Sequence, residues 1–212
     1  MVKIYFIRHG QSVANEKDIF LGQHNLDLTE LGKKQAKIVA NYLKDIKVDQ
    51  IYSSDLTRAY HTAEQTANLI NMPIITDKGL REIDGGLWEE IEFAKLKTLY
   101  PKNFNLFVND LGNASVEGGE SIMQMHERFY NAVKNIAENS QGKTLFIFTH
   151  ATVIRCFSAM ISGEGKDAIQ KFAWPSNTSI TEVDYENGEF KLIKYSYDEF
   201  MGNLITTLSD KV

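Results

Sequence analysis

Residues 143–149 form the apolar run that most constrains the fold of this 212-residue chain. Its sequence, Lys-Thr-Leu-Phe-Ile-Phe-Thr, is almost continuously apolar, which is typical of a central strand in a parallel sheet that is buried on both faces. A second run of this kind covers residues 2–8. The two runs predict a parallel sheet as the core of the fold.

Apolar residues at helical spacing alternate with these runs. Thr29 is expected to cap one helix, and Ser54 or Asp55 the next. The predicted helices cover about 30–44, 56–71, 121–139, 152–162 and 166–172, and shorter strands cover 50–53 and 73–76. A strand, helix and strand alternation of this kind predicts a three-layer α/β/α sandwich with a mostly parallel central sheet.

Two segments depart from that alternation. Residues 179–185 and 190–197, joined by Asn-Gly at 187–188, predict a β-hairpin and therefore an antiparallel edge. In residues 83–120 the periodicity loosens and glycine pairs stand near both ends. We expect residues 1–212 to form one domain, with 83–120 as a small lid insertion over the carboxyl edge of the sheet.

Composition excludes some classes of function. The formal net charge is −5, so the overall basic footprint of a nucleic-acid-binding protein is missing. No stretch approaches the ~20 apolar residues that a membrane span needs, and no secretory signal pattern is visible. The single cysteine, Cys156, rules out an internal disulfide and suits a reducing compartment. We expect a cytoplasmic protein with neither nucleic acid nor membrane as partner. The composition does not distinguish between a monomer and an oligomer.

Both long apolar runs end in a histidine. Arg8 and His9 follow the first, and His150 follows the second. Because the carboxyl ends of parallel strands meet at one edge, where ligands bind in open α/β sheets, we expect the two histidines to meet. Arg58, in the first turn of a helix after a third strand, adds a second permanent cation there. Two arginines, two histidines and helix amino termini predict an anion pocket, with phosphate as its best candidate.

Acid–base chemistry in such a pocket also needs a carboxylate. Glu82 and Asp84 follow a predicted strand at the root of the lid. Spacing alone does not choose between them.

An ordered set of motifs in this chain resembles the histidine phosphatase superfamily, in the branch that contains cofactor-dependent phosphoglycerate mutase and related phosphatases. The RHG-containing signature of that branch matches residues 8–15, Arg-His-Gly-Gln-Ser-Val-Ala-Asn. Further blocks match Leu-Thr-Glu-Leu-Gly-Lys-Lys-Gln-Ala at 28–36, Ser-Ser-Asp-Leu-Thr-Arg-Ala-Tyr-His-Thr-Ala at 53–63, Leu-Arg-Glu-Ile-Asp-Gly-Gly-Leu-Trp at 80–88, Gly-Glu-Ser at 119–121 and Thr-His at 149–150. The resemblance runs from about residue 3 to residue 185.

The resemblance implies a role for each matched residue. His9 is implied as the nucleophile that accepts the phosphoryl group, and Glu82 as the general acid. Glu82 is flanked by Leu80 and Ile83, whereas Asp84 adjoins two glycines and is expected to be better solvated. Arg8, Arg58 and His150 are implied as the clamp on the phosphate oxygens, and Asn15, Gly22 and Ala151 as substrate-binding residues. No metal and no cofactor is implied, because the clamp supplies the positive charge.

Departures from the family pattern leave three functions open. Ala151 and Glu90 stand where glycines are usual, and residues 91–118 lack the adjacent arginine pair with which mutases hold the substrate carboxylate. The first hypothesis is therefore a phosphatase that acts on a small-molecule phosphate ester. The second is a 2,3-bisphosphoglycerate-dependent phosphoglycerate mutase, with Lys95 or Lys97 replacing the arginines. The third is a non-catalytic module that binds a phosphorylated ligand.

Overall fold

The apolar run at 144–149 is a central strand of a six-stranded sheet. The structure, a computed structural model, describes residues 1–208. Its strands are β1 (Val2–Arg8), β2 (Ile19–Phe20), β3 (Gln50–Ser53), β4 (Ile74–Thr76), β5 (Ile91–Glu92), β6 (Thr144–Thr149), β7 (Ile180–Glu186) and β8 (Glu189–Tyr197). β2 pairs with β5, and the other six form one sheet in the order β4-β3-β6-β1-β7-β8.

The sheet is mostly parallel, as predicted. β4, β3, β6 and β1 run parallel to one another, whereas β7 pairs antiparallel with β1 and with β8. The predicted hairpin is therefore the antiparallel edge. The register pairs Arg8 with Thr149 and Ser53 with Phe148, so three parallel strands end level with one another. This common edge carries the residues that follow each strand.

Helices cover both faces of the sheet and complete the predicted three layers. They are α1 (Val13–Glu16), α2 (Glu30–Leu43), α3 (Thr57–Ile70), α4 (Phe93–Leu99), α5 (Pro101–Asn109), α6 (Ile122–Glu138) and α7 (Ala151–Ala159). Along β1, Tyr5 and Ile7 join the core under α2 and α3, whereas Ile4 and Phe6 join the core under α6 and α7. β1 is apolar on both faces because it is buried on both. Within residues 1–208, none of the helices combines the length and apolar character needed to cross a membrane.

One helix begins differently from the prediction. Thr29 caps α2 as expected, with its side chain accepting from the Gly32 N–H. α3, however, has Leu56 at its N-cap and no side-chain cap, so the expectation of Ser54 or Asp55 there was wrong. Both polar side chains have other partners: Ser54 bonds to His150, and Asp55 to Arg81.

The segment 83–120 contains short helices and turns packed on an aromatic cluster. Trp88, Phe93 and Phe107 each contact the ring of Phe20, so the segment shares a core with the sheet. Glu90 has a φ of 65°, in the left-handed region that glycine adopts most easily. A non-glycine residue is strained there by about 1 kcal/mol. That residues 83–120 act as a lid stays a prediction.

Candidate active site

A small pocket opens at the carboxyl edge of the parallel strands. Its volume is about 60 Å³. The predicted site residues that line it are Arg8, His9, Asn15, Gly22, Arg58, Glu82 and Ala151. The remaining one, His150, is fully buried, with its ring centroid 5.2 Å from that of His9.

His9 is held with one ring nitrogen free. Its Nδ1 lies 2.7 Å from the carbonyl oxygen of Gly10. A carbonyl only accepts, so Nδ1 carries the proton and Nε2 carries the lone pair. Burial and the nearby charges of Arg58 and Arg8 hold the pKa of His9 well below its usual value. The ring is therefore neutral at pH 7 and has a nucleophilic nitrogen.

The backbone around His9 is fixed from three sides. The Asn177 side chain donates to the His9 carbonyl at 2.9 Å, and the Gly10 N–H donates to the Thr62 hydroxyl at 3.0 Å. A Cβ at position 10 would come within 2.5 Å of the carbonyl oxygen of Gly32. Glycine is therefore required where the chain leaves β1 and passes the start of α2.

Arg8 and Arg58 are held by backbone carbonyls. Arg8 Nη1 donates to the carbonyl of Pro175 at 2.5 Å, and its Nε is buried with no partner. Arg58 donates to the carbonyls of Gly22 at 2.7 Å and His24 at 2.9 Å. Neutral carbonyls orient the two guanidinium groups, and within residues 1–208 neither group forms a direct ion pair.

The two arginines make the pocket positively charged. Burial lowers the pKa of Arg8 and of Arg58 to about 10, whereas the nearby charge of Glu82 opposes this lowering. Both remain charged at neutral pH. Among the described residues, no carboxylate lies within 4.0 Å of either guanidinium. Buried charges in proteins ordinarily lie beside an opposite charge, so the two arginines form a site that favours a bound anion.

The structure separates the two candidate carboxylates. Glu82 lines the pocket, with its two oxygens accepting from the N–H groups of Ile83 at 2.9 Å and Thr152 at 3.2 Å. Asp84 is not among the pocket residues, and its side chain accepts from the Gly86 N–H at 3.0 Å. Only Glu82 is therefore placed to exchange a proton with a ligand.

His150 lies behind His9 at the start of α7. Its Nε2 is 2.9 Å from the Ser54 hydroxyl, whereas its Nδ1 is buried without a partner. Burial, followed by the charge of Arg58, holds the pKa of His150 well below its usual value. An anion in the pocket would oppose both effects, so binding favours the protonated, donating form of this ring.

The two buried histidines give folding stability a defined pH dependence. Their pKa values are lowered on folding, so the unfolded chain binds more protons below about pH 6.5. Stability is then fully present above that pH and falls as the pH drops, by up to about 1.4 kcal/mol per pH unit for each histidine. Urea unfolding at pH 7.5 and 5.5 should show this loss, with a smaller slope in His9→Ala. A stability that is flat across this interval would contradict neutral burial of both rings.

Asn15 and Gly22 contribute in different ways. The Asn15 side-chain oxygen accepts from the Ser12 N–H at 3.1 Å in a capping box, so its NH₂ group remains to donate to a ligand. Gly22 has a φ of 56°, and a Cβ there would lie 2.2 Å from the Glu89 carboxylate. Since its carbonyl also orients Arg58, Gly22 shapes the pocket through its backbone.

Several residues in the pocket or next to it were not predicted from the sequence. Thr152 and Asn177 act through hydrogen bonds to Glu82 and His9. The only sequence signal for Asn177 is the polar run 176–179 ahead of β7, which is buried throughout. Apart from Ser12, the remaining pocket residues form an apolar wall, namely Ile19, Phe20, Leu21, Ile83, Phe93, Phe107, Trp174 and Leu208. Within residues 1–208, no group of three or more His, Cys, Asp or Glu side chains is arranged to hold a metal.

The fold and the pocket together define an α/β protein with two buried arginines and two buried histidines at the carboxyl edge of its parallel strands. The sequence profile of the histidine phosphatase superfamily (branch 1) matches residues 4–198, and the chain belongs to this superfamily.

Three related proteins place the chain within that superfamily. Phosphoserine phosphatase 1 of Hydrogenobacter thermophilus is 28% identical over 202 residues, which cover 95% of each chain. Probable phosphoglycerate mutase GpmB of Escherichia fergusonii is 30% identical over 90% of this chain and 88% of its own. The solved structure of Bacillus stearothermophilus YhfR has a TM-score of 0.90 and 26% identity, covering 95% of this chain and 100% of its own. These relatives include both phosphatase and mutase names.

Proposed function

We propose that this protein is a phosphomonoesterase that hydrolyses a small phosphorylated metabolite through a phosphohistidine on His9. The observation that carries the proposal is the pair of buried, unpaired arginines beside a neutral histidine whose Nε2 is free. An anion site alone needs no nucleophile and no carboxyl group. The presence of both favours an enzyme over a non-catalytic binding module.

The reaction would proceed in two transfers. In the first, His9 Nε2 attacks phosphorus, the ester P–O bond breaks, and the Glu82 carboxyl group gives its proton to the leaving oxygen. In the second, Glu82 takes a proton from water as the water oxygen attacks phosphorus and the P–N bond breaks. Inorganic phosphate leaves, His9 is again neutral, and Glu82 is again protonated.

The clamp would act throughout both transfers. Arg8 and Arg58, which line the pocket, and His150, whose ring lies 5.2 Å from that of His9, would hold the charge that builds on the non-bridging oxygens. Cations held in position before the reaction stabilise such a transition state without reorganisation. Asn15 and the backbone N–H of Ala151 would donate further hydrogen bonds to the same oxygens. Residues 83–120, within one domain, would cover the bound ester as a lid.

The outer pocket favours a phosphatase over a mutase. Lys95 is engaged with Glu92 at 2.9 Å, and neither Lys95 nor Lys97 is among the pocket residues. Among the described residues that line the pocket, Arg8 and Arg58 are the arginines and lysine is absent. Beyond the two arginines assigned to the phosphate, a further cation for a substrate carboxylate is thus missing there. The leaving group would contact the apolar wall instead.

We expect steady release of p-nitrophenol from p-nitrophenyl phosphate, and no conversion of 3- to 2-phosphoglycerate when 2,3-bisphosphoglycerate is present. Because the wall is aromatic and uncharged, phosphate esters of neutral aromatic alcohols should have a higher kcat/KM than phosphoserine or 3-phosphoglycerate. Parallel assays on p-nitrophenyl phosphate, phosphoserine and 3-phosphoglycerate, the last with and without 2,3-bisphosphoglycerate, check this expectation. Efficient mutase turnover, or phosphate binding without any hydrolysis, would replace the proposal with one of the two alternatives.

We also expect activity to survive treatment with EDTA. The two arginines already supply the positive charge that a divalent cation supplies in metal-dependent phosphatases. The protein is incubated with excess chelator and then passed through gel filtration. The assay compares p-nitrophenyl phosphate turnover before and after this treatment. A loss of activity that Mg²⁺ or Zn²⁺ restores would show that the clamp is not sufficient.

A further inference from the structure

Arg128 lies outside the pocket, on α6, yet all five of its N–H groups are directed at the chain around Glu82. Nε and Nη2 each donate to one oxygen of the Glu120 carboxylate at 2.8 Å. The other three N–H groups donate at 3.0 Å to backbone carbonyls. Those carbonyls belong to Gly79, Arg81 and Glu82.

Glu120 extends the same network to the far side of Glu82. Its Oε2 accepts from the backbone N–H of Asp84 at 2.9 Å, and its own N–H donates to the Asp84 carbonyl at 3.0 Å. Arg128 thus binds the chain up to Glu82, and Glu120 binds it two residues later. Both side chains are about one-fifth to one-quarter exposed, at 24% for Arg128 and 20% for Glu120.

The chain at 81–84 lies outside any helix or strand, so side chains supply most of the bonds that fix it. Besides Arg128 and Glu120, Gln23 Nε2 donates to the Glu82 carbonyl at 3.1 Å, and Arg81 donates to both oxygens of the Asp55 carboxylate. The Glu82 side chain itself is held by two N–H groups, one from the adjacent Ile83 and one from Thr152 at the start of α7. The position of its carboxyl group therefore depends on where the backbone of Glu82 is placed.

We infer that Arg128 and Glu120 are positioning residues that hold the Glu82 carboxyl group at the leaving-group side of the pocket. This inference rests on the proposed role of Glu82 as proton donor. A proton donor must reach the leaving oxygen within hydrogen-bond distance, and a displacement of about 1 Å costs on the order of 10²-fold in rate. The network makes no hydrogen bond to His9, Arg8 or Arg58. The charge of Arg128 also acts on His150, and Arg128→Lys keeps that charge, so this variant should impair proton donation specifically.

The test uses leaving groups of different basicity in Arg128→Lys and Glu120→Gln. Butyl phosphate needs its leaving oxygen protonated, whereas p-nitrophenolate leaves readily without a proton. We expect kcat for butyl phosphate to fall tenfold or more in both variants, with kcat for p-nitrophenyl phosphate within about threefold of wild type. KM for both esters should change little. Lys134→Met, which removes a distant ion pair from the same helix, is the control and should leave both rates unchanged.

Combination with Glu82→Gln separates positioning from general damage. If Arg128 acts through Glu82, adding Arg128→Lys to Glu82→Gln should lower kcat for butyl phosphate no further. Equal losses for both esters, additive losses in the double variant, or no loss in a folded Glu120→Gln would each overturn the inference. If Glu82→Gln itself shows no dependence on the leaving group, the role of Glu82 in the proposed function fails, and the inference fails with it. Circular dichroism and thermal melting identify any variant that does not fold.

Discussion

Replacing His9 with alanine should reduce phosphatase turnover by about 10⁴-fold or more while the protein remains folded. His9 Nε2 is the free ring nitrogen at the pocket, because His9 lines the pocket and His150 lies behind it. The arginines remain in the variant, so phosphate binding should persist. The measurement is kcat for p-nitrophenyl phosphate together with phosphate binding by calorimetry.

His61→Ala provides the matched control for that variant. His61 is 41% exposed and pairs with Asp27 at 2.7 Å, away from the pocket residues. Its loss should leave kcat within about twofold of wild type, because surface ion pairs contribute little. A His9→Ala variant that keeps activity within tenfold of wild type would remove His9 from the reaction.

Glu82→Gln should depress kcat for alkyl phosphates by on the order of 10²-fold or more, and kcat for p-nitrophenyl phosphate by much less. Glutamine keeps the shape of the side chain and loses the transferable proton. The unequal effect arises because a poor leaving alkoxide depends on the donor and a stabilised phenolate does not. Steady-state kinetics on butyl phosphate and p-nitrophenyl phosphate measure it.

Asp84→Asn is the control for Glu82→Gln, since it alters a neighbouring carboxylate that bonds to Gly86 outside the pocket. Its effect on the two esters should be small and about equal. If Asp84→Asn shows the dependence on the leaving group and Glu82→Gln does not, the roles of the two carboxylates are reversed.

Much of the fold was predictable because its signals are local. β1 and β6 are short apolar runs that end in polar residues, and burial on both faces accounts for that pattern. Thr29 and Ser121 cap α2 and α6 through bonds to residues three positions later in the chain. The meeting of His9 with His150 also follows from strand direction alone, once both strands are taken as parallel neighbours.

Other parts of the site depend on contacts between distant residues. The sequence spacing of Glu82 and Asp84 does not distinguish them, and their different environments come from Thr152 and Gly86. Asn177 holds His9 from a loop 168 positions away. Ser54 was expected at a helix cap because cap propensity is local, whereas its actual partner is His150, 96 positions later.

The most direct test of the central claim is to trap the phosphoryl group on the enzyme during turnover. Wild-type protein mixed with a ³²P-labelled ester and quenched in alkali within one turnover should carry label that is stable to base and lost in acid, as a phosphoramidate requires. Mass spectrometry should place it on His9, and His9→Ala should carry none. Turnover in the wild type with no trapped label, or label on another residue, would contradict a phosphohistidine mechanism at His9.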